Sequence, residues 1–237
     1  HGNVHDYVHV KQEEGSVFVR LKEFLSNELF GSRDIVLFYD RSGGVQFKDD
    51  ASFKDFSRAV SGHDSYAGTD YANKVPKDPV RVFALLENYF RLRVAEGKSI
   101  AVIVDYAETI IPMSDSAASS AEDRNALVFL QKWAHDPILL QADFSLVLLT
   151  ENLNDLNKSL IQSPYTTEIK MALPQQEERA IFIKHFIDKY KENLVLEVGE
   201  HVLAQQTAGL SFVNLQSLLA GSVENKKPIT SEFLSKA

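Results

Sequence analysis

Cysteine is missing from all 237 residues. That absence excludes disulfides, thiolate metal centres and cysteine nucleophiles, and it suits a reducing compartment, so the expected location is the cytoplasm. Positive charge is scarce: 25 Lys and Arg stand against 33 Asp and Glu, a formal charge of -8. A duplex-binding surface needs clustered cations to neutralise phosphate, so no nucleic-acid partner is expected. No apolar run approaches the roughly 18 residues that cross a bilayer, and no signal peptide is visible; no membrane partner is expected. A G-x-S-x-G turn is also missing, which removes the usual setting for Ser-His-Asp chemistry. There is no internal repeat and no low-complexity tract.

What remains is ordinary globular composition, 44% apolar and 24% charged. The length suits one large α/β domain, or a core with a small appended one. The chain starts "HGNVHDYVHV" without Met, and His1-Gly2 reads as a tag remnant or the cut edge of a larger protein. His1, His5 and His9 recur every fourth residue, a spacing that stacks metal ligands on a helix. The β-branched and aromatic residues around them favour a strand instead.

Apolar residues at Val17, Leu21, Phe24, Leu25 and Leu29 have helical spacing and predict a helix over 16–30, stopped by Gly31. "IVLFY" (35–39), "IAVIV" (100–104) and "FSLVLL" (144–149) are short continuous apolar runs, the mark of strands buried on both faces. Ser42-Gly43-Gly44 ends the first. Ser52 opens a short helix to Val60, and residues 61–78, with Tyr66, Gly68 and Tyr71, read as a mobile loop. Asp78-Pro79 opens a long helix as N-cap and first helical residue, and Gly97 closes it. Ser120 and Asp123 match a capping box for a helix to about Ala134. In it Trp133 lies on the apolar face, and His135 suits the dipole at the helix end. "TEIKMAL" (167–173) alternates loosely and reads as a final strand. From Pro174 the pattern is helical only: 175–190, about 198–207 and 211–220. Alternating helices and strands imply a parallel sheet with crossover helices. The expected fold is therefore α/β: a parallel five-stranded sheet flanked by helices, 4–173, followed by a small all-helical subdomain, 174–237.

The chemistry-bearing feature is "VIVDYAE". In a parallel sheet, ligands bind beyond the carboxyl ends of the strands. Asp105 stands at such an end with Glu108 just past it. A strand-terminal Asp can reach Mg²⁺ and a nearby acid can orient a water. The plain alternative is that Asp105 serves turn chemistry and Glu108 pairs with a base or faces solvent. Asn152, after the neighbouring strand, can hold the same water or a phosphate, or can cap the segment leading to Lys158.

In order along the chain, "VIVDYAE", "VLLTENL", "EIKMALPQQEERAIFIKHFI" and "TAGLSFVNLQSLL" resemble the landmarks of AAA+ ATPases over roughly 99–222. The resemblance implies a P-loop-NTPase-like core with a helical lid. Asp105 and Glu108 would be its Walker B acids, Asn152 its sensor-1 residue, and Asp105 its Mg²⁺ contact whenever ATP binds.

The cations that this resemblance calls for are missing. A phosphate loop needs G-x-x-x-x-G-K-[ST] between strand and helix. Gly97-Lys98-Ser99 fails, because the first glycine would fall at Leu92 and the order of elements is reversed. The right place, "VKQEEGSVFVRL" (10–21), offers Gly15 and Ser16, but Glu13 and Glu14 precede them and no Lys follows before Lys22. No Arg lies in 151–174 to serve as a finger, where Lys158 stands near the usual place, and Asn214 occupies the sensor-2 region. The expectation is a degenerate, non-hydrolytic module with no cofactor of its own. It would self-assemble or pair with a second AAA+ module of the same chain, within a parent that hydrolyses ATP. Two alternatives stay open: an ATPase with an atypical loop at Gly15 and Ser16 that binds ATP and Mg²⁺, and an unrelated α/β domain binding a small ligand near Asp105.

Overall fold

The computed structural model describes residues 1–12, 15–114, 119–190 and 198–225. In chain order the elements are β1 (Tyr7–Gln12), β2 (Gly15–Arg20), α1 (Leu21–Phe24), β3 (Ile35–Asp40) and β4 (Gly44–Phe47). There follow α2 (Asp50–Ala67), α3 (Pro79–Ala95), β5 (Ile100–Val104), α4 (Ala121–His135), α5 (Pro137–Gln141) and β6 (Phe144–Leu148). α6 (Lys158–Ile161), α7 (Gln176–Lys189), α8 (Glu200–Gln206) and α9 (Phe212–Asn225) complete the series. They form two compact units: His1–Gly2 with Leu25–Lys170, and Asn3–Phe24 with Met171–Ala237.

The first unit is Rossmann-like. Its sheet has the order β4-β3-β5-β6; β3, β5 and β6 run parallel, with Ile35 opposite Ile100 and Ile100 opposite Phe144. The expected five parallel strands become four among the described residues, one of them antiparallel. After β3 the chain does not cross over. Asp40 Oδ1 accepts from the backbone N–H of Ser42 (2.9 Å) and Gly43 (2.6 Å), and Gly44 takes φ +79°. This tight turn folds "GVQF" back as β4, with Asp40 opposite Gly44. Residues 167–173, expected as the last strand, hold only a single bridge position at Met171.

The flanking helices follow their caps. Asp78 accepts from Arg81 N at 3.1 Å ahead of Pro79, and the Ser120/Asp123 capping box closes in both directions. α2 starts earlier and ends later than expected. Asp49 caps it through Ser52 N (2.7 Å), and it runs through the first part of the predicted loop to Gly68, whose left-handed conformation suits a glycine C-cap. Asp64 then organises the chain after this cap: its carboxylate accepts from the Thr69 hydroxyl and, at 2.7 Å, from Ala72 N. Tyr71 packs against the core and Tyr66 is exposed. The core sits between β5, buried along its length, and the aromatic faces of α3 and α4. There Trp133 lies 5.1 Å from Phe83 and 5.2 Å from Phe90.

In the second unit β1 and β2 pair antiparallel, with Gln12 opposite Gly15, and pack with α7, α8 and α9. This corrects the helix expected over 16–30: its first third is strand, and only Leu21–Phe24 and a π-type turn at Leu25–Leu29 are helical. The reason is tertiary. Phe18 stands edge-on to Phe182 (4.8 Å) and Phe212 (5.1 Å), a placement given by strand alternation through Val17 and Val19. Residues 3–24, which the sequence places with the α/β core, therefore group with the helices after 171.

Two buried charges lock this unit. Asp6, 3% exposed, accepts from the N–H of Phe212 (2.9 Å) and Val213 (2.8 Å), capping α9 from the other end of the chain. Arg179, 5% exposed, donates from Nε and Nη2 to the Ala204 carbonyl (3.1 and 3.0 Å) and from Nη1 to that of Pro174 (2.5 Å).

Candidate functional site at the carboxyl edge of the sheet

The carboxyl ends of β3, β5 and β6 bring Asp40, Asp105 and Thr150 to one edge of the first unit. Asp105 N donates to Tyr39 O at 2.9 Å, continuing the ladder one residue past the strand. Asp105 is 2% exposed, and its Oδ1 accepts the N–H of Tyr106 at 3.0 Å. Tyr106 has φ 50° and ψ 46°, the only left-handed non-glycine backbone among the described residues. That conformation costs about 1–2 kcal/mol. It is held by Thr109, whose N–H (2.9 Å) and hydroxyl (2.7 Å) both donate to Tyr106 O, and by Ala107 N donating to Leu149 O at 3.0 Å. The strand thus ends in a sharp turn that points the Tyr106 ring outward, where it is half-exposed.

Glu108 lies in the short 3-10 turn Ala107–Thr109, partly buried. Its Oε2 is shielded from solvent and has no hydrogen-bond partner among the described residues. The sequence reading missed the neighbouring cation. Arg41, in the β3–β4 turn, reaches across to donate from Nη1 to Thr109 O and from Nη2 to Glu122 Oε2, both at 3.0 Å. Glu122 Oε1 is a second buried, unpartnered carboxylate oxygen. The available signal was "YDRSGG": an Arg directly after a buried strand and inside a tight turn must lie at the sheet's carboxyl edge. Lys77 stands nearby but is committed, donating to Ser42 O at 2.7 Å. Tyr39 donates its hydroxyl to Lys77 O at 2.8 Å, and burial pushes that phenol above its ordinary pKa.

Asn152 caps the 3-10 turn Leu153–Asp155. Its Oδ1 accepts from Asn154 N (3.2 Å) and its Nδ2 donates to Asp155 (3.1 Å), while Thr150 Oγ1 donates to the Asn152 carbonyl (3.2 Å). Gly15 and Ser16 do not lie before a helix. They open strand β2, where Ser16 Oγ and His9 Nε2 are 2.8 Å apart. Glu13 and Glu14 lie outside the described residues. Lys98 and Ser99 bind Asp34 at the amino end of the sheet. His1 meets Glu168 and His9 stacks on Phe18, and no group of three metal-ligating side chains occurs among the described residues.

The chemistry open to this edge depends on the segment that succeeds each parallel strand. β3 turns back into β4, β5 enters the turn at Ala107–Thr109, and β6 enters Thr150 and the 3-10 turn Leu153–Asp155. None leads through a glycine loop into a helix, the arrangement whose amides cradle a triphosphate. The residues that could face Mg²⁺, Asp105 and Glu108, stand beside Asp40 and Glu122, and the cation among them is engaged twice. No helix among the described residues is long and apolar enough to cross a membrane.

Comparison with known proteins bears on the same architecture. The sequence profile of the AAA+ chaperone N-terminal Rossmann-like domain matches residues 1–172, and that of the AAA+ chaperone second helical domain matches 177–237. No curated protein matches the sequence. A chain in the solved Escherichia coli MS115-1 HORMA:CdnC:Trip13 complex superposes with a TM-score of 0.51 at 14% identity, over 66% of this chain and 56% of that one. At that identity the likeness speaks for the fold alone, and this chain spans little more than half of its neighbour's length. With one profile over the Rossmann-like core and another over the helices that follow, the chain belongs to the AAA+ chaperones.

Proposed function

We propose that this chain is a degenerate AAA+ module that acts by assembly or partner binding and does not hydrolyse nucleotide. The observation that carries the reading is the hairpin after β3: the turn at Arg41–Gly43 closes a strand end that could otherwise open into a phosphate loop. The electrostatics agree. Asp40, Asp105, Glu108 and Glu122 crowd the carboxyl edge, and a triphosphate there would face carboxylates. Like charges about 4 Å apart repel by roughly 4 kcal/mol at an effective dielectric of 20. Arg41 already spans Thr109 and Glu122, so it offers no free fork to a phosphate. Asp105 shapes the turn at Tyr106 in this reading. The partner is a second AAA+ module or another protein; the structural neighbour, too, sits among other chains.

Calorimetric titration with millimolar MgATP tests the reading, together with a phosphate-release assay. No saturable heat and no turnover are expected. Turnover that Glu108→Gln abolishes would instead establish the ATPase alternative.

A further inference from the structure

β1 and β2 set one of their two faces against the helices of the second unit. Opposite residues of an antiparallel pair share a face, so the pairings Tyr7–Arg20, His9–Phe18 and Lys11–Ser16 put these six side chains on it. At its centre Phe18 meets Phe182 (4.8 Å) and His185 (5.5 Å) from α7 and Phe212 (5.1 Å) from α9. From its own hairpin the His9 ring stacks on it, with centroids 4.9 Å apart and planes at 15°. His9 Nε2 lies 2.8 Å from Ser16 Oγ, a diagonal pair across the ladder. An imidazole is thus built into the packing that holds the hairpin to α7 and α9.

That position provides poorly for a positive charge. Removal from water is the largest influence on the His9 ring and lowers its pKa below the ordinary value. Lys11, two residues on along the same face, lowers it further, and Glu178 of α7 acts the other way. Glu178 is already committed, because its Oε2 accepts the N–H of Gln175 at 2.7 Å in the capping box of α7. His185 is the other titratable group against Phe18. Ser16 on β2 and Phe212 on α9 carry no charge, and Arg20 lies over Tyr7 at 4.2 Å. A histidine whose folded pKa lies below its unfolded value contributes stability above that unfolded value, about 6.5, and the stability falls away as pH drops below it.

A two-stranded hairpin is marginal in water by itself, so β1 and β2 keep their ladder while the helices back them. Asp6 holds the foot of the hairpin to α9 through Phe212 N and Val213 N, which leaves the tip at Gln12 and Gly15 as the end free to part. We propose that the β1–β2 hairpin is an acid-released latch: protonation of His9 parts Phe18 from the rings of α7 and α9 and opens the hairpin from its tip. Mild acid thereby bares Phe182 and Phe212, both buried at neutral pH. The device goes beyond the partner-binding reading above and lies wholly within the second unit.

Histidine NMR and amide hydrogen exchange on the whole protein, between about pH 7.5 and 5.5, test this. The His9 ring should titrate below about 6.5. After correction for intrinsic rates, protection of the β1 and β2 amides should fall severalfold on acidification. The ceiling is about tenfold, the factor by which an ordinary imidazole in the open form binds protons over that range. His9→Gln, which cannot take up the charge, should keep the protection constant, and His185→Gln should leave the fall in place. The amides of Val102 and Ile103, in the first unit, should not respond. A His9 ring that titrates at or above about 6.5, the result if the face of Phe18 holds the cation better than water does, overturns the proposal with no variant needed. So does a fall in His9→Gln equal to that of wild type, or its loss in His185→Gln. A fall shared equally by Val102 and Ile103 also overturns it, since that is general acid unfolding.

Discussion

Asp6→Ala is the sharpest test of how the second unit is built. Asp6 is separated from α9 by most of the chain, yet its carboxylate takes the first two N–H groups of that helix at 2.9 and 2.8 Å, while Asn3 Nδ2 donates to it at 2.6 Å. The helix depends on this cap because Phe212, Leu215 and Leu219 must enter the core on its first turns. Alanine leaves two donors facing an emptied, buried position. A hydrogen bond to a charged group contributes about 1.5–3 kcal/mol, and an unsatisfied buried donor costs about 1–3 kcal/mol. Phe212 N is fully enclosed and Val213 N only partly, so water recovers some of the second loss. The expected destabilisation is about 3 kcal/mol, which for a chain of this size lowers the melting temperature by about 6–12 °C. Asp6→Asn keeps one acceptor oxygen and should lose about half as much. Far-UV circular dichroism gives the melting curves, and hydrogen exchange over 212–219 localises the loss. An alanine variant within about 0.5 kcal/mol of wild type, with exchange over 212–219 unchanged, would refute the capping argument.

Arg179→Met removes the donors from the Ala204 and Pro174 carbonyls inside the same unit. A loss of about 2–4 kcal/mol is expected in urea unfolding, and Arg179→Lys should not rescue it, since an ammonium cannot reproduce the fork. Gly44→Ala tests the β3–β4 turn: φ is +79° and a Cβ would meet Lys77 Cγ at 3.2 Å, so thermal unfolding should show a cost of about 1–2 kcal/mol. Asp34 contributes to the acid dependence. Hydrogen bonds from Ser99 N, the Ser99 hydroxyl and Lys98 hold its carboxyl down to about 2 from 3.8. A depressed folded pKa contributes stability above the unfolded value and loses it as pH falls through the folded one. The gap between wild type and Asp34→Asn should therefore be constant above about pH 4 and close towards pH 2, modestly, because the site is solvent-exposed. A gap that widens on acidification would contradict the assignment.

What the sequence discloses and what it hides divide along a physical line. β3, β5 and β6 are legible because a strand buried on both faces must be apolar throughout, whatever else packs nearby. α3 and α4 are legible because Asp78-Pro79 and Ser120/Asp123 are local devices, complete within four residues. Asp105 is legible for a related reason, since an apolar run that stops at an acid marks the carboxyl edge of a sheet. Some of the failures depend on partners remote in sequence, and others on elements too short to show a period. Val17, Leu21 and Leu25 have helical spacing only by straddling the junction of β2 with α1; the choice of strand is made by Phe182 and Phe212, far along the chain. β4 is four residues long, too short to show a period, and exists because Asp40 closes its turn. Residues 167–173 alternate like a strand, but alternation needs a ladder to join, and here there is one bridge position. Arg41 escaped because the reading looked for cations in the places a phosphate loop would need them, whereas this cation holds the turn after β5 to α4. That misplacement is itself informative. A positive charge at the sheet's carboxyl edge binds the protein's own carboxylate and carbonyl, joining the turn after β5 to α4.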